Sequence, residues 1–91
     1  MISFCIPRVD KEETTDFIYS KLNKLQLGKI QYIKEVPCKN NDQYKKIFIH
    51  YTEFDENKQI QNHFTKRGYL NIVYDNHWYW KLYKAYHQVP S

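Results

Sequence analysis

The sequence predicts an α+β fold: elements in the order β-α-β-β-α-β form a two-layer sandwich. Two helices should cover one face of a four-stranded antiparallel sheet, with an extra short strand before the last. Three observations predict it. Tyr44–Tyr51 alternates strictly, with Ile47, Ile49 and Tyr51 pointing one way and Tyr44, Lys46, Phe48 and His50 the other. Ile18, Leu22 and Leu25 recur at helical spacing. The length of 91 residues gives room for one domain and not two, so residues 1–91 are read as a single unit.

In chain order, Ile2–Val9 reads as the first strand, with Phe4, Ile6 and Val9 apolar and Pro7 marking its end or an edge. Thr14 or Thr15 caps a helix, Asp16 lies in its first turn, and Phe17 widens its apolar stripe. Gly28 is expected to stop that helix. Ile30–Val36 forms the second strand, ended by Pro37, and Cys38–Gln43 is a polar loop. After the Tyr44–Tyr51 strand, a second helix should run from about Asp55, its cap, to Lys66, with Ile60 and Phe64 inward and Gly68 at its end. Leu70, Ile72 and Tyr74 alternate as the extra strand. Asp75-Asn76-His77 turns the chain, and Trp78–Tyr86 is the last strand.

Composition narrows the class. The chain is 42% hydrophobic and 18% aromatic, which belongs to a folded protein rather than a disordered one. Net charge is +4, and the surplus lies after the first helix: residues 1–28 sum to zero, 29–54 to +2 and 55–91 to +2. A mild basic excess suits an anionic partner without requiring one. Cys5 and Cys38 show no metal-ligand spacing, and neither do His50, His63, His77 and His87, so no metal or other cofactor is expected. No apolar run reaches the roughly 20 residues of a membrane span, and no signal-peptide pattern opens the chain. The expectation is an intracellular protein with reduced thiols and no membrane partner.

Four segments carry a family resemblance: Ile6-Pro7-Arg8-Val9, Leu27-Gly28-Lys29-Ile30, Ile47-Phe48-Ile49-His50-Tyr51, and the most specific, Ile72-Val73-Tyr74-Asp75-Asn76-His77-Trp78-Tyr79-Trp80-Lys81. Over nearly its whole length the chain resembles short proteins like the RNA recognition motif (RRM), encoded by large nucleocytoplasmic DNA viruses of protists and algae. The resemblance implies a ferredoxin-like, RRM-like fold and a viral origin, with the host cytoplasm (virus factory) or the virion as location. Against the third-strand motif of RRMs, Phe48 matches a base-stacking position, Lys46 replaces the other stacking aromatic, and Lys45 and Ile47 stand at the two small positions. Cys5 stands at the first-strand aromatic position.

The candidate site is the sheet face away from the helices. Phe48 offers a ring to a base, with Tyr44 and His50 in its row. Lys46 and Lys81 offer charge to phosphates, Tyr83 and Tyr79 join if their parity agrees, and the loop Lys39–Lys45 offers a clasp at one edge. The leading expectation is weak binding of single-stranded nucleic acid, RNA first, through Tyr44, Lys46, Phe48, His50, Lys81 and Tyr83. The alternative is a protein-interaction or virion-structural module, homo-oligomeric or docked on another chain, using that face or the Trp78–Trp80 edge. For the aromatic cluster itself, the preferred expectation is that Trp80 and Leu82 fill the core and Trp78 covers an edge. Arg8 is expected to cap the surface beside Asp10 rather than to bind phosphate.

No enzyme and no small-molecule substrate are expected. Cys5 has no evident base beside it. Acylphosphatases share this strand order, but their glycine-rich phosphate loop is replaced here by Pro7-Arg8-Val9-Asp10-Lys11-Glu12-Glu13, whose carboxylates would repel phosphate.

Overall fold

The computed structural model describes residues 2–75 and 77–85. The elements are β1 (Ile2–Asp10), α1 (Thr15–Lys24), β2 (Gly28–Pro37), β3 (Tyr44–Phe54), α2 (Lys58–Arg67), β4 (Leu70–Val73) and β5 (Tyr79–Lys84). All strand pairs are antiparallel, in one sheet ordered β2-β3-β1-β5-β4. The fold is therefore α+β with five strands. The short strand predicted before the last joins the sheet as its edge, pairing Leu70 with Leu82 and Ile72 with Trp80.

One core unites the helices with one sheet face. Phe4, Ile6, Ile47, Ile49, Ile72 and Leu82 are fully buried there with Ile18 and Leu22 of α1, and Ile60 of α2 joins them. Two ring clusters set the helices. Phe4 holds Phe54 at 4.6 Å and Phe64 of α2 at 5.8 Å. Phe17 of α1 meets the edge of Trp80 at 6.1 Å, and Trp80 stacks on Tyr74 at 4.2 Å. The Lys84 ammonium, paired with Glu56, lies 5.0 Å from the centre of the Phe64 ring and ties β5 to α2.

Several local expectations are corrected. Pro7 does not end β1, which is the central strand. It sits in a bulge: Ile6 pairs with Ile47 and Val9 with Lys45, so Pro7 and Arg8 together oppose Lys46. Proline is tolerated there because a bulge removes the ladder bond its missing N–H would have made. The first helix stops before Gly28. The amides of Leu25 and Gln26 donate to carbonyls three residues back, and Gln26 takes the left-handed turn at φ 51°. Leu25 consequently falls off the apolar stripe, 44% exposed, and Leu27 is buried in its place.

Gly28 instead opens β2 beside Phe54, at φ 154°, where a Cβ would stand 1.9 Å from the Glu53 carbonyl oxygen. The second helix begins after Asn57, whose side chain accepts from the Ile60 amide at 3.0 Å. Asp55 is not its cap, because β3 runs on to Phe54 and the Asp55 amide donates to the Leu27 carbonyl at 2.6 Å. Thr14 does cap α1, accepting from Phe17 at 3.1 Å, and Gly68 does end α2, at φ 83°. The last strand starts at Tyr79 and is described to Lys84; Asn76 of the predicted turn, Tyr86 and His87 lie outside the described residues.

Two substitutions test this packing. Tyr51 is buried with its hydroxyl unpartnered among the described residues, and burial pushes its pKa up to about 12. Removing the orphan hydroxyl with Tyr51→Phe should stabilise the protein by about 1 kcal/mol, a rise of about 4–8 °C in Tm by thermal melting. A lower Tm would mean that the hydroxyl is satisfied. Gly28→Ala forces a Cβ into the β3 backbone and should destabilise by about 3 kcal/mol, the top of the usual range. An unchanged denaturation midpoint would contradict that close approach.

Candidate nucleic-acid interface

Alternation along β3 decides where the candidate residues point. Lys45, Ile47, Ile49 and Tyr51 are buried toward the helices, so Tyr44, Lys46, Phe48 and His50 occupy the opposite face. On β5, Trp80 and Leu82 face the core, which turns Tyr79, Lys81 and Tyr83 to the same side as Phe48. All six predicted residues, and Tyr79 with them, therefore share one face of the sheet.

The register assembles rows across this face. Lys34 of β2 pairs with Phe48, Phe48 with Cys5, and Cys5 with Tyr83. Tyr83 then meets Tyr69 at 5.5 Å. One row over, Tyr32 pairs with His50 and stacks on its ring at 4.3 Å, and His50 pairs with Ser3. His50 Nδ1 and the Ser3 hydroxyl share a hydrogen bond of 2.7 Å, which fixes the imidazole. Lys81 reaches over the Tyr69 ring at 4.9 Å.

Tyr32 and Tyr69 escaped the sequence reading. Tyr32 lies in the second strand, where a bulge between Ile30 and Tyr32 resets the alternation. Tyr69 lies just before β4 and gains its place only by packing on the last strand. Rings missing from the centre of the face thus stand at its flanks.

Electrostatics separates the two sides of the sheet. Lys45, expected to belong to the clasping loop, points to the helix side instead, where it binds the Glu13 carbonyl and the Glu35 carboxylate. Along the outward face, Lys34, Lys46 and Lys81 meet no carboxylate in the ladder. Among the described residues, acids with that parity stand only at strand ends: Asp10 opposite Tyr44, and Glu53 paired with Lys29 at 4.0 Å. Burial lowers the pKa of His50, and the charge of Lys34 lowers it further. Burial raises the pKa of Cys5, with Lys46 opposing, so its thiol stays protonated at neutral pH.

The aromatic cluster divides. Trp80 and Leu82 are in the core as expected, and Trp78, expected to cover an edge, is 65% exposed. Arg8, expected to cap the surface beside Asp10, has its guanidinium over the Tyr44 ring, 4.9 Å from the centroid, and Tyr44 is the ladder partner of Asp10. Among the described residues no three His, Cys, Asp or Glu side chains group to hold a metal ion, and no helix is long and apolar enough to cross a membrane.

No protein-family model matches the chain, and no match is found among curated proteins or among solved structures.

The lowered His50 pKa has a measurable consequence. Its imidazole should titrate below 6.5 by NMR, and Lys34→Ala should raise that value only in part, because burial is the larger cause. The unfolded chain binds the proton more readily than the folded one. His50 should therefore cost stability as pH falls through 6.5 toward the folded value, with its full contribution kept above it. A His50 pKa at or above 6.5 would refute the assignment.

Proposed function

We propose that this chain is a binding module rather than an enzyme, and that it takes single-stranded nucleic acid, RNA first, weakly on the outward face of its sheet. The observation that carries this proposal is the shared face itself: Tyr44, Lys46, Phe48, His50, Lys81 and Tyr83 stand together, with carboxylates, among the described residues, only at the strand ends. Bases would stack on Phe48, with Tyr44, Tyr83 and the Tyr32–His50 pair beside it. Lys34, Lys46 and Lys81 would neutralise phosphates. An aromatic face with dispersed lysines tolerates any base, because every base has a π-face.

With β4 set aside, the strand order 2-3-1-5 suits an RRM-like, ferredoxin-like domain. The proposed family is the short RRM-like proteins of large nucleocytoplasmic DNA viruses, with the host cytoplasm or the virion as the place of action. That assignment rests on the segments quoted from the sequence.

One observation favours a second role. Val73, Trp78 and Tyr79 are all at least 49% exposed at the end of the β4–β5 hairpin, an apolar cluster suited to a protein partner or a second copy. Trp80 takes no part in it, being buried.

Fluorescence anisotropy with mixed-sequence RNA oligomers at low salt tests the leading proposal. Phe48→Ala should weaken binding about 5- to 150-fold, the loss of one stacked base. Absence of binding, or indifference to Phe48→Ala, would count against it. Light scattering separates the second role: a stable oligomer dispersed by Trp78→Ala favours protein contact, and a monomer that binds RNA does not.

A further inference from the structure

The bulge in β1 has a chemical effect on the outward face. Ile6 and Val9 both stay in the core, so the extra residue is accommodated by turning Pro7 and Arg8 outward together, opposite Lys46. A regular strand would have sent Arg8 toward the helices. Bulges commonly re-aim one side chain in this way.

Two clefts meet at Arg8. One, of about 540 Å³, runs between the bulge and the Cys38–Gln43 loop, and Arg8, Lys39, Lys46 and Tyr44 are in its wall. The other, of about 320 Å³, runs toward β5, walled by Arg8, Lys81, Tyr79 and Tyr83. None of the described residues lining either cleft is acidic; Asp10, on the same face two residues beyond Arg8 and opposite Tyr44, lines neither cleft and makes no ion pair with Arg8. Ion pairs elsewhere engage Lys29 with Glu53, Lys45 with Glu35 and Lys84 with Glu56. Arg8, Lys39, Lys46 and Lys81 have no such partner among the described residues.

We infer that Arg8, seated on Tyr44 at the β1 bulge and flanked by Lys39, Lys46 and Lys81, is a phosphate-binding site that anchors the backbone of the bound single strand at one end of the sheet. This inference rests on the nucleic-acid proposal and adds to it a defined anionic contact outside the stacking row.

The chemistry follows from the guanidinium. Its central carbon stands 4.9 Å from the Tyr44 ring centroid, and the planar fork of N–H groups on a guanidinium can match two oxygens of one phosphate. Contact with Tyr44 holds the group in position before the ligand arrives, which lowers the ordering cost of binding. The three lysines act as point charges around it. The opposite end of the face, at Tyr32, His50 and Ser3, carries rings and a hydroxyl instead. The site is therefore polar along the strand direction, and over Tyr44 to His50 it spans about 20 Å.

The test uses the full chain, a labelled ten-nucleotide single-stranded RNA titrated across a range of salt, and inorganic tripolyphosphate followed by NMR. Arg8→Gln should weaken RNA binding about tenfold or more at low salt, equally for different base compositions, and should reduce the slope of log K against log salt by about 0.7. Arg8→Lys should restore the slope without the full affinity. Tripolyphosphate should shift the Arg8 side-chain resonances and lose its site in Arg8→Gln, with circular dichroism showing the fold intact.

If RNA binds through Phe48 while Arg8→Gln leaves the salt slope unchanged, the phosphate site is wrong and the sheet proposal stands. If RNA does not bind but tripolyphosphate still titrates Arg8, the anion site stands and the nucleic-acid proposal falls. If neither ligand senses Arg8, the inference is overturned.

Discussion

The two-residue alternation of β1 and β3, the paired strands at the middle of the sheet, governs this molecule. Phe4, Ile6, Ile47, Ile49 and Tyr51 must all be withdrawn from water, and only one face of a sheet can do that when both helices lie on the same side. Every other side chain on those strands is then committed to the opposite face. A one-residue slip in register would exchange the two sets, exposing the core and burying Lys46 and His50. The hydrophobic demand of the inner face thus fixes the chemistry of the outer one.

Departures from that alternation carry the local character of the surface. The bulge at Pro7 and Arg8 adds a cation to the outward face and sets it on Tyr44. The irregularity between Ile30 and Tyr32 turns Tyr32 to the same side, where it stacks on His50. In both places an extra residue changes which side chain faces out while the flanking apolar residues keep their places inward.

Charge is sorted by the same geometry. Lys45 and Lys84 lie on the helix side and are paired with Glu35 and Glu56. A partly buried ammonium needs such a partner, since desolvation is costly for an isolated charge. Arg8, Lys34, Lys46 and Lys81 remain in water, where no partner is required. On that common side, burial depresses the pKa of His50 with Lys34 adding to it, and Lys46 opposes the burial effect at Cys5. A net charge of +4 is modest, and its distribution on the outward face matters more than its size.

Element order, the α+β class, the inward set on β3 and the shared parity of Tyr44, Lys46, Phe48 and His50 were legible in the sequence, because period-two and helical patterns are local and one side of each must be buried. So was the Gly68 helix stop, a local requirement for a left-handed residue. What the sequence could not reveal depended on neighbours distant along the chain. Gly28 resembles a helix stop until the β3 backbone arrives within 1.9 Å of where its Cβ would be. Asp55 resembles a cap until its amide is taken by Leu27. Arg8, Tyr32 and Tyr69 look like isolated surface residues until strand pairing sets them beside Tyr44, His50 and Tyr83. Composition and periodicity determined which side chains must be hidden; only pairing between strands remote in sequence decided which of the remainder meet, because register and bulges arise from the ladder as a whole and not from any one segment.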